Sequence, residues 1–362
     1  MRWGLALLLL AIGWAPPAAA QMLDWETIDL GRIEGLVDLR ASPHAASGLI
    51  ALTESGGWRA LGLEPVEDGA GLRLTDAGEA PFMGKLAPPE IVPDGRVGVA
   101  PGPPPPPESD EAAGTPSAAW FEGPTRRYAH GALGDQIEAS ILQVAFADRR
   151  ILAHRLPESA VFEDLEPRIV DADGDGDLEV LAVKSMLAEG STIALYDASG
   201  DDEQLFEVAE AEPIGTPNRW LNPAAVADFD GDGAPEIAVV RTPHIGGILI
   251  HYAWDGTSRR ITEERRIEGY STHASGSVAL GLATPFDIDG DGRVELILPR
   301  QDRHLLAILG MADGAFEERA VIASSAAPVA ASIVAVDLDR DGDTEIVWGL
   351  ADGSIRALTR RE

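Results

Sequence analysis

One nine-residue phrase recurs four times in the C-terminal half of the chain and decides the fold class. The copies are DADGDGDLE at 171–179, DFDGDGAPE at 228–236, DIDGDGRVE at 287–295 and DLDRDGDTE at 337–345. Their starts lie 57, 59 and 50 residues apart, a period that suits a four-stranded propeller blade. Apolar stretches flank the copies, so each phrase is predicted to join two strands.

Each phrase places oxygen-bearing side chains at alternate positions of a tight loop. Asp stands at positions one, three and five, Gly at six and Glu at nine. Oxygen ligands at this spacing converge on one hard cation, and Gly permits the positive φ of the turn. The predicted carboxylate ligands are Asp171, Asp173, Asp175, Glu179, Asp228, Asp230, Asp232, Glu236, Asp287, Asp289, Asp291, Glu295, Asp337, Asp339, Asp341 and Glu345. The residues predicted to offer the backbone carbonyl of position seven are Asp177, Ala234, Arg293 and Asp343.

Electrostatics favours calcium as the cofactor of these loops. Asp-Gly sequences also form ordinary turns, but carboxylates crowded into one loop repel one another unless a cation neutralises them. Magnesium prefers a tight octahedron with several waters, which makes it the less favoured ion. An EF-hand is excluded because its closing Glu stands at position twelve, between helices.

The phrase DxDGDGxxE between two strands, repeated at this spacing, resembles the FG-GAP/VCBS repeat of the integrin α-subunit propeller and its bacterial relatives. The resemblance covers 171–345, and the fourth copy departs from it with Arg340 where the others have Gly. It implies an all-β fold, a β-propeller with calcium loops in its last four blades. Members of this family include adhesins, lectins, scaffolds and accessory domains of enzymes, so the resemblance implies a fold and no activity.

Strand-like runs without the metal motif continue upstream of the first phrase. Runs at 48–52, 58–63 and 72–75 predict a first blade, and runs at 141–146 and 151–156 predict a third. A poorly patterned blade would lie between them. The count is seven blades, with six and eight left open.

The predicted domain is a single propeller at 21–362, with degenerate blades at 24–168 and calcium-binding blades at 169–358. A Pro-rich, polar stretch near 101–117 is predicted to be an exposed, disordered insertion. A strand at 27–33 is predicted to complete the last blade, because such interlocked closure leaves no sheet edge open for pairing.

The N-terminus has the pattern of an export signal. One basic residue, Arg2, precedes an apolar run at 3–14 and the small residues at 18–20, which predicts a signal peptide at 1–20 and a periplasmic or secreted protein. A membrane anchor is the alternative, but the run is too short for a hydrocarbon core of about 30 Å. The chain has no cysteine, so disulfides cannot stabilise it.

The net charge of −32, from 28 basic and 60 acidic residues, argues against nucleic acid or an anionic membrane as a partner. Cations are the expected partners. Basic side chains nevertheless recur at fixed distances after the closing Glu of each phrase, where the chain reaches the face opposite the calcium loops. A ring of cations at that propeller mouth would focus anions there.

Residues on this far face suit an anionic or hydroxylated ligand, since guanidinium groups bind carboxylate or phosphate and an indole face suits a sugar ring. The predicted ligand-binding residues are Lys184, Arg219, Trp220, Asn222, Arg241, His244, His273, Arg300 and Arg303. Two simpler roles compete: Trp220 filling a blade interface, and cations that neutralise the protein's own carboxylates.

The phrase YAHGALGD at 128–135 combines Tyr, His and Asp, which could act as acid and base. The favoured interpretation is a degenerate remnant of an inter-blade loop and metal turn, because no nucleophile or activated base is recognisable by spacing. The leading function is therefore a non-catalytic binding module for a glycan, an anionic ligand or a cell-envelope protein. A propeller enzyme acting on acidic polymers, as lyase or hydrolase, and a purely structural module are the rivals.

Overall fold

The computed structural model describes residues 25–42, 45–66, 72–80, 97–101, 115–197, 203–323 and 327–361. The predicted signal peptide at 1–20 and residues 102–114 of the predicted insertion lie outside these ranges. In the described parts the regular structure is entirely β-strand, and no helix there is long and apolar enough to cross a membrane.

The strands form six antiparallel sheets, which we number as blades 1–6 in chain order. The strands are β1 Trp25–Arg32, β2 Leu36–Ala41, β3 Leu49–Thr53, β4 Trp58–Pro65, β5 Leu72–Glu79, β6 Val97–Pro101, β7 Pro116–Glu122, β8 Ile141–Phe146, β9 Ile151–Arg155, β10 Ala160–Phe162, β11 Arg168–Val170, β12 Glu179–Met186, β13 Gly190–Asp197, β14 Phe206–Glu210, β15 Leu221–Ala227, β16 Glu236–Arg241, β17 Ile248–Asp255, β18 Arg260–Glu268, β19 Thr284–Phe286, β20 Glu295–Pro299, β21 Leu305–Ala312, β22 Ala315–Ala323, β23 Val329–Val336, β24 Glu345–Leu350 and β25 Ser354–Arg360. Blade 1 is β2–β5, blade 2 is β6–β9, blade 3 is β10–β14, blade 4 is β15–β18, blade 5 is β19–β22, and blade 6 joins β23–β25 to β1.

The described residues thus form six blades, one fewer than the seven predicted. The runs assigned to a third blade, β8 and β9, pair with β7 and β6 in one sheet, because Glu122 at the end of β7 lies opposite Ile141 at the start of β8. The predicted second and third blades are therefore a single blade. Part of the predicted insertion, Pro116 and Ser117, belongs to β7.

The N-terminal strand closes the ring as predicted. β1 pairs antiparallel with β25, from Trp25 opposite Arg360 to Arg32 opposite Ser354. The Trp25 indole is buried and donates to the Ile288 carbonyl of blade 5 at 3.1 Å. The two ends of the described chain are therefore held in one sheet, which leaves no open seam between them.

The second strands of blades 3–6 are buried along almost their whole length. Both of their faces are covered by neighbouring blades, which is why their sequences are continuous apolar runs without alternation. The innermost strands surround a central cavity of ≈ 460 Å³ lined by parts of blades 1, 3, 5 and 6. Arg40 crosses it to pair with Glu166 at 3.0 Å, and Asp38 accepts from the Ser332 hydroxyl at 2.6 Å.

Blade 3 has a broken innermost strand. β10 and β11 both pair with β12, and residues 163–167 separate them. Pro167 has no backbone N–H to donate to the ladder, which fits a break at this point. Glu163 and Asp164, which lie in this interruption, are both buried.

Candidate functional site

The four acidic phrases occupy equivalent places in blades 3–6. Each connects the innermost strand of its blade to the second strand, so all four lie on one face of the ring, which we call the calcium face. The opposite face, where second strands lead into third strands, is the far face.

Backbone N–H groups fold each loop around its first and last carboxylates. Position-nine Glu accepts through Oε2 from the backbone N–H of position two in every loop, at 2.9–3.1 Å. Position-one Asp accepts through Oδ2 from the Gly at position six, at 2.9–3.2 Å. The acids therefore set the loop conformation themselves, through hydrogen bonds from the backbone of their own loop.

The carboxylates gather into four groups in which one oxygen of each member lies within 4.8 Å of all the others. The groups are Asp171, Asp173 and Glu179; Asp228, Asp230, Asp232 and Glu236; Asp287, Asp289 and Asp291; and Asp337, Asp339 and Glu345. The structure therefore brings together 13 of the 16 predicted carboxylates, and Asp175, Glu295 and Asp341 stand outside the groups. The second loop is the most complete.

Among the described residues, no salt bridge joins a Lys or Arg to a carboxylate of these four groups. Burial, followed by repulsion from the loop aspartates, raises the pKa of Glu179, Glu236 and Glu295 to about 7. In the fourth loop one buried oxygen, Asp337 Oδ1, has no hydrogen-bond partner in the described parts of the chain. Crowded acids, an unpartnered buried oxygen and an all-oxygen donor set fit a hard cation such as calcium.

Within the described ranges, the fourth loop lacks one hydrogen bond that the other three loops make. In the other loops Gly174, Gly231 and Gly290 donate from their backbone to Oδ1 of the first Asp at 2.7 Å. Arg340 adopts the same left-handed conformation, with φ of 65°, but no such hydrogen bond reaches Asp337 Oδ1. A side chain in this conformation costs about 1–2 kcal/mol.

Neighbouring loops pack against one another around the calcium face. A Cβ on Gly174 would lie 2.9 Å from the carbonyl oxygen of Gly233 in the next loop. A Cβ on Gly231 would lie 3.3 Å from Nε of Arg293 in the loop after that. The residue at position seven can therefore contact the preceding loop, as Arg293 does beside Gly231.

On the far face, two members of the predicted basic ring are held by acids of their own blades. Lys184 Nζ pairs with Glu207 at 3.0 Å and also with Glu210, both on the outermost strand of blade 3. Arg300 pairs with Glu318 on the outermost strand of blade 5 at 2.6 Å. The expected convergence of these charges on the central axis is wrong, because the side chains run outward along their sheets.

The remaining predicted residues divide into buried and accessible groups. Asn222 is fully buried and donates to the Leu280 carbonyl at 2.8 Å, and Trp220 is buried with its indole donating to the Glu163 carbonyl at 2.8 Å. Trp220 therefore fills a blade interface, the simpler of its two roles. Arg241, which contacts the Ile214 carbonyl at 3.3 Å, and exposed Arg219 make no ion pair in the described parts of the chain.

A long connection between β7 and β8, residues 123–140, crosses the far face; we call it the cap loop. It reaches blade 3, where Ala139 pairs with Phe162, and the loop before blade 5, where Ala132 accepts from Gly276 at 2.9 Å. Its Tyr128 hydroxyl accepts from the Asn218 backbone at 3.0 Å. The YAHGALGD phrase is thus part of a second-to-third-strand connection, and the interpretation as an inter-blade remnant is wrong.

The cap loop delivers His130 to a buried carboxylate. His130 Nδ1 lies 2.5 Å from Oε1 of Glu163, whose side chain is fully buried. The other carboxylate oxygen of Glu163 accepts from the hydroxyls of Ser185 and Ser191, at 2.5 and 3.3 Å. Glu163 thereby fixes the orientation of the His130 ring.

Two further histidines lie beside Trp220. His244 Nε2 is 2.6 Å from His273 Nδ1, and His273 Nε2 is 2.8 Å from the Ser277 carbonyl oxygen. The His244 ring stacks on Trp220 at a centroid distance of 5.9 Å. Burial lowers the pKa of both histidines to about 4, with smaller contributions from neighbouring charges that include Arg303.

Two residues of this region were missed at the level of sequence. Glu163 sits in the broken strand of blade 3, and nothing in its local pattern separates it from a surface acid. Glu138, in the cap loop, has its pKa raised to about 9 by burial and by repulsion from Glu163, Asp135 and Asp164. Pro167, which breaks the strand four residues after Glu163, does not by itself indicate a buried acid.

Comparison with known protein families identifies the repeat. The FG-GAP-like repeat model matches residues 171–239 and 287–348, so each match begins at an acidic phrase, in blades 3 and 5, and ends on the second strand of the following blade. No curated protein sequence matches the chain.

Proposed function

Because the chain is an FG-GAP repeat-containing protein, we propose that it is an exported, calcium-binding β-propeller that acts as a non-catalytic binding module. The repeats indicate a propeller binding module, and the acidic loops could hold metal ions. Calcium as the ion, export to the periplasm or exterior, and a glycan, anionic ligand or envelope protein as partner are the proposed refinements.

The observation that carries the calcium assignment is the fourfold recurrence of one acidic loop with one hydrogen-bonding scheme. Such loops contribute no ligand-binding surface to the opposite face. The proposed division of labour is that calcium stabilises the ring while the far face, with its cap loop, recognises a partner.

The test is a binding screen of glycans and cell-envelope proteins with calcium-loaded and with chelated protein. Calcium should be required for binding, since it holds the fold, and the double substitution H244F/R303Q should abolish binding while calcium stoichiometry stays unchanged. R300Q is the matched control, because Arg300 lies on the same face but is paired with Glu318. Equal binding by the double variant would contradict the assignment to this face.

A second candidate is an acid–base enzyme acting on acidic polymers, and the His130–Glu163 pair favours it. A buried carboxylate that orients an imidazole is a common way to position a general base. Incubating acidic polysaccharides and phosphoesters with the protein, and with the H130F variant, would separate the two functions. Turnover lost in H130F would establish an enzyme, and absence of turnover would leave the binding module.

The third candidate is a purely structural module. It predicts that no far-face substitution changes binding to any envelope fraction while calcium removal unfolds the protein. The binding screen therefore separates the structural module from the binding module, and the turnover assay separates the enzyme from both.

A further inference from the structure

Three side chains from different blades surround one region of the far face. His130 comes from the cap loop of blade 2, His244 from the β16–β17 turn of blade 4, and Arg303 from the β20–β21 turn of blade 5. Glu163 contacts both His130 and the Trp220 indole, and Trp220 stacks on His244. Gln301, in the same turn as Arg303, donates to the Pro243 carbonyl beside His244 at 2.9 Å. These contacts bring the three elements together, and the hydrogen bonds of each group determine which of its atoms remain available.

The first available atom is Nε2 of His130. Ionised Glu163 only accepts hydrogen bonds, so the proton of a neutral His130 ring lies on Nδ1, where it is donated to Glu163 Oε1. The side chain is 24% exposed, and in the described parts of the chain no partner occupies Nε2. His130 therefore presents an acceptor lone pair to solvent.

The second available atom is Nδ1 of His244, and its state follows from a chain of three groups. The Ser277 carbonyl can only accept, so His273 Nε2 carries a proton and donates it. The other nitrogen of a neutral His273, Nδ1, must then accept from His244 Nε2–H. The remaining nitrogen of His244 is consequently a bare acceptor, without a partner among the described residues.

The third available group is a cation. Arg303 donates from Nε to the Val329 carbonyl at 3.1 Å, and its two Nη groups have no carboxylate partner in the part of the chain that the structure describes. Lys184 and Arg300 are neutralised by acids, whereas Arg303 is not, in a protein of net charge −32. An unpaired guanidinium with both Nη groups free suits a bidentate carboxylate.

We propose that His130 Nε2, His244 Nδ1 and the Arg303 guanidinium form a binding site for a hydroxylated carboxylate, of which a uronic acid residue of an acidic glycan is the matching class. Two bare nitrogens require hydrogen-bond donors, which hydroxyl groups supply, and the guanidinium requires an anion. A simple anion would leave both nitrogens unsatisfied, and a neutral sugar would leave the cation unsatisfied. The inference rests on the proposed binding function and gives it a ligand class.

Glu163, His273 and Trp220 are positioning residues in this site. Glu163 and His273 fix the two tautomers, and Trp220 supports the ring of His244 by stacking. All three are buried, so none of them faces the ligand.

The tautomers are tested first, without ligand, on calcium-loaded protein with ¹⁵N-labelled histidine. Two-dimensional NMR that correlates ring nitrogens with ring protons should assign the proton to Nδ1 in His130 and to Nε2 in His244 and His273 at pH 8. A proton on His130 Nε2, or on His244 Nδ1, would remove an acceptor and overturn the proposal.

Binding is then measured by titration with sodium glucuronate, glucose and sodium acetate. Glucuronate should bind at least about tenfold more tightly than either of the others, and H130F, H244F and R303Q should each lose at least about tenfold. H244Q should recover part of the loss because its amide oxygen is again an acceptor, and R300Q should bind like the wild type. Calcium stoichiometry and melting temperature confirm that each variant is folded.

Two results would overturn the ligand class. If acetate binds as tightly as glucuronate and only R303Q loses affinity, the site is a simple anion site. If glucuronate does not bind while the envelope screen still finds a partner whose binding H244F/R303Q abolishes, the ligand class is wrong and the proposed binding function stands. Failure of both experiments would remove the binding function itself.

Discussion

Blades 1 and 4 make the same connection, from innermost to second strand, in two chemically different ways. In blade 1 the structure describes residues 42 and 45–48 of this connection, and their hydrogen bonds are neutral: the Ser42 backbone N–H donates to the Gly48 carbonyl at 2.7 Å, and the Ser47 hydroxyl donates to the Leu61 carbonyl at 2.7 Å. In blade 4 the turn concentrates Asp228, Asp230, Asp232 and Glu236. The described part of the first turn uses neutral groups, whereas the second accumulates negative charge that a bound cation would offset.

We therefore expect the folding of blades 3–6, which carry the acidic loops, to depend on a bound metal more than that of blade 1. The far face does not follow that division. Its cap loop and His130 come from blade 2, which has no acidic phrase, whereas His244 and Arg303 come from blades 4 and 5, which carry acidic loops. A ligand at this face therefore bridges both parts of the ring.

The largest expected effect is calcium removal. A ligand that binds only the folded state stabilises it by about 2.7 kcal/mol per site at a hundredfold excess over its dissociation constant. Removing calcium from four such sites by chelation should sharply lower the melting temperature measured by differential scanning calorimetry. The magnesium-loaded protein should melt between the calcium-loaded and the metal-free protein. An unchanged melting temperature after demetallation would show that blades 3–6 are as self-sufficient as blade 1.

The next effect is the loss of one site. D230A removes a ligand from the most complete group, so the calcium stoichiometry measured by calorimetry should fall by one and the other loops should stay occupied, since repeats couple mainly to their neighbours. D352A is the matched control, because Asp352 forms an ordinary Asp-Gly turn that accepts from Ser354. Loss of all calcium binding in D230A would mean that packing between adjacent loops makes the sites cooperative.

A third effect concerns the cap loop of blade 2, a blade that carries no acidic phrase. The folded state keeps Glu138 protonated up to its raised pKa of about 9, whereas the unfolded chain releases that proton near its ordinary value, so stability is lost as pH rises between these limits. E138Q removes this loss and should stabilise the protein by about 2 kcal/mol at pH 8, but not at pH 4. Urea unfolding at pH 4 and at pH 8 measures the change in the free energy of unfolding. E189Q, which replaces the exposed Glu189, is the control. A difference independent of pH would contradict the assignment.

The smallest effect sharpens the comparison within the calcium face. R340G places Gly where the first three loops have it and relieves a left-handed side chain, so we expect about 1 kcal/mol of stabilisation and tighter calcium binding at the fourth site. R340A is the control, because alanine keeps the Cβ that the conformation disfavours. Equal gains in both variants would assign the effect to charge removal instead of backbone conformation.

The acidic loops were predictable because their information is local. Ligand spacing, the turn glycines and the apolar runs on each side lie within about twenty residues, and each loop folds on itself through hydrogen bonds such as that from Phe229 to Glu236. Closure by the N-terminal strand was also predictable, since an incomplete last blade requires a fourth strand.

The described residues form six blades, one of the two alternatives to the predicted seven, and the difference comes from distance along the chain. The long cap loop separates β7 from β8 in sequence, so two halves of one sheet looked like separate blades, although Glu122 and Ile141 are directly opposed. The basic ring failed because spacing along a strand does not show toward which side a long side chain runs, and Lys184 and Arg300 find acids on their own outermost strands.

The sequence by itself determined the all-β class, the four acidic loops and their demand for a hard cation, because each depends on residues close together in the chain. Only the tertiary structure decided the far face. His130 and Glu163 are 33 residues apart and meet across two blades, and His244 and His273 are 29 residues apart and meet through loops. Their tautomers depend on partners that the ring closure and the broken strand of blade 3 bring together, and no local pattern encodes those contacts.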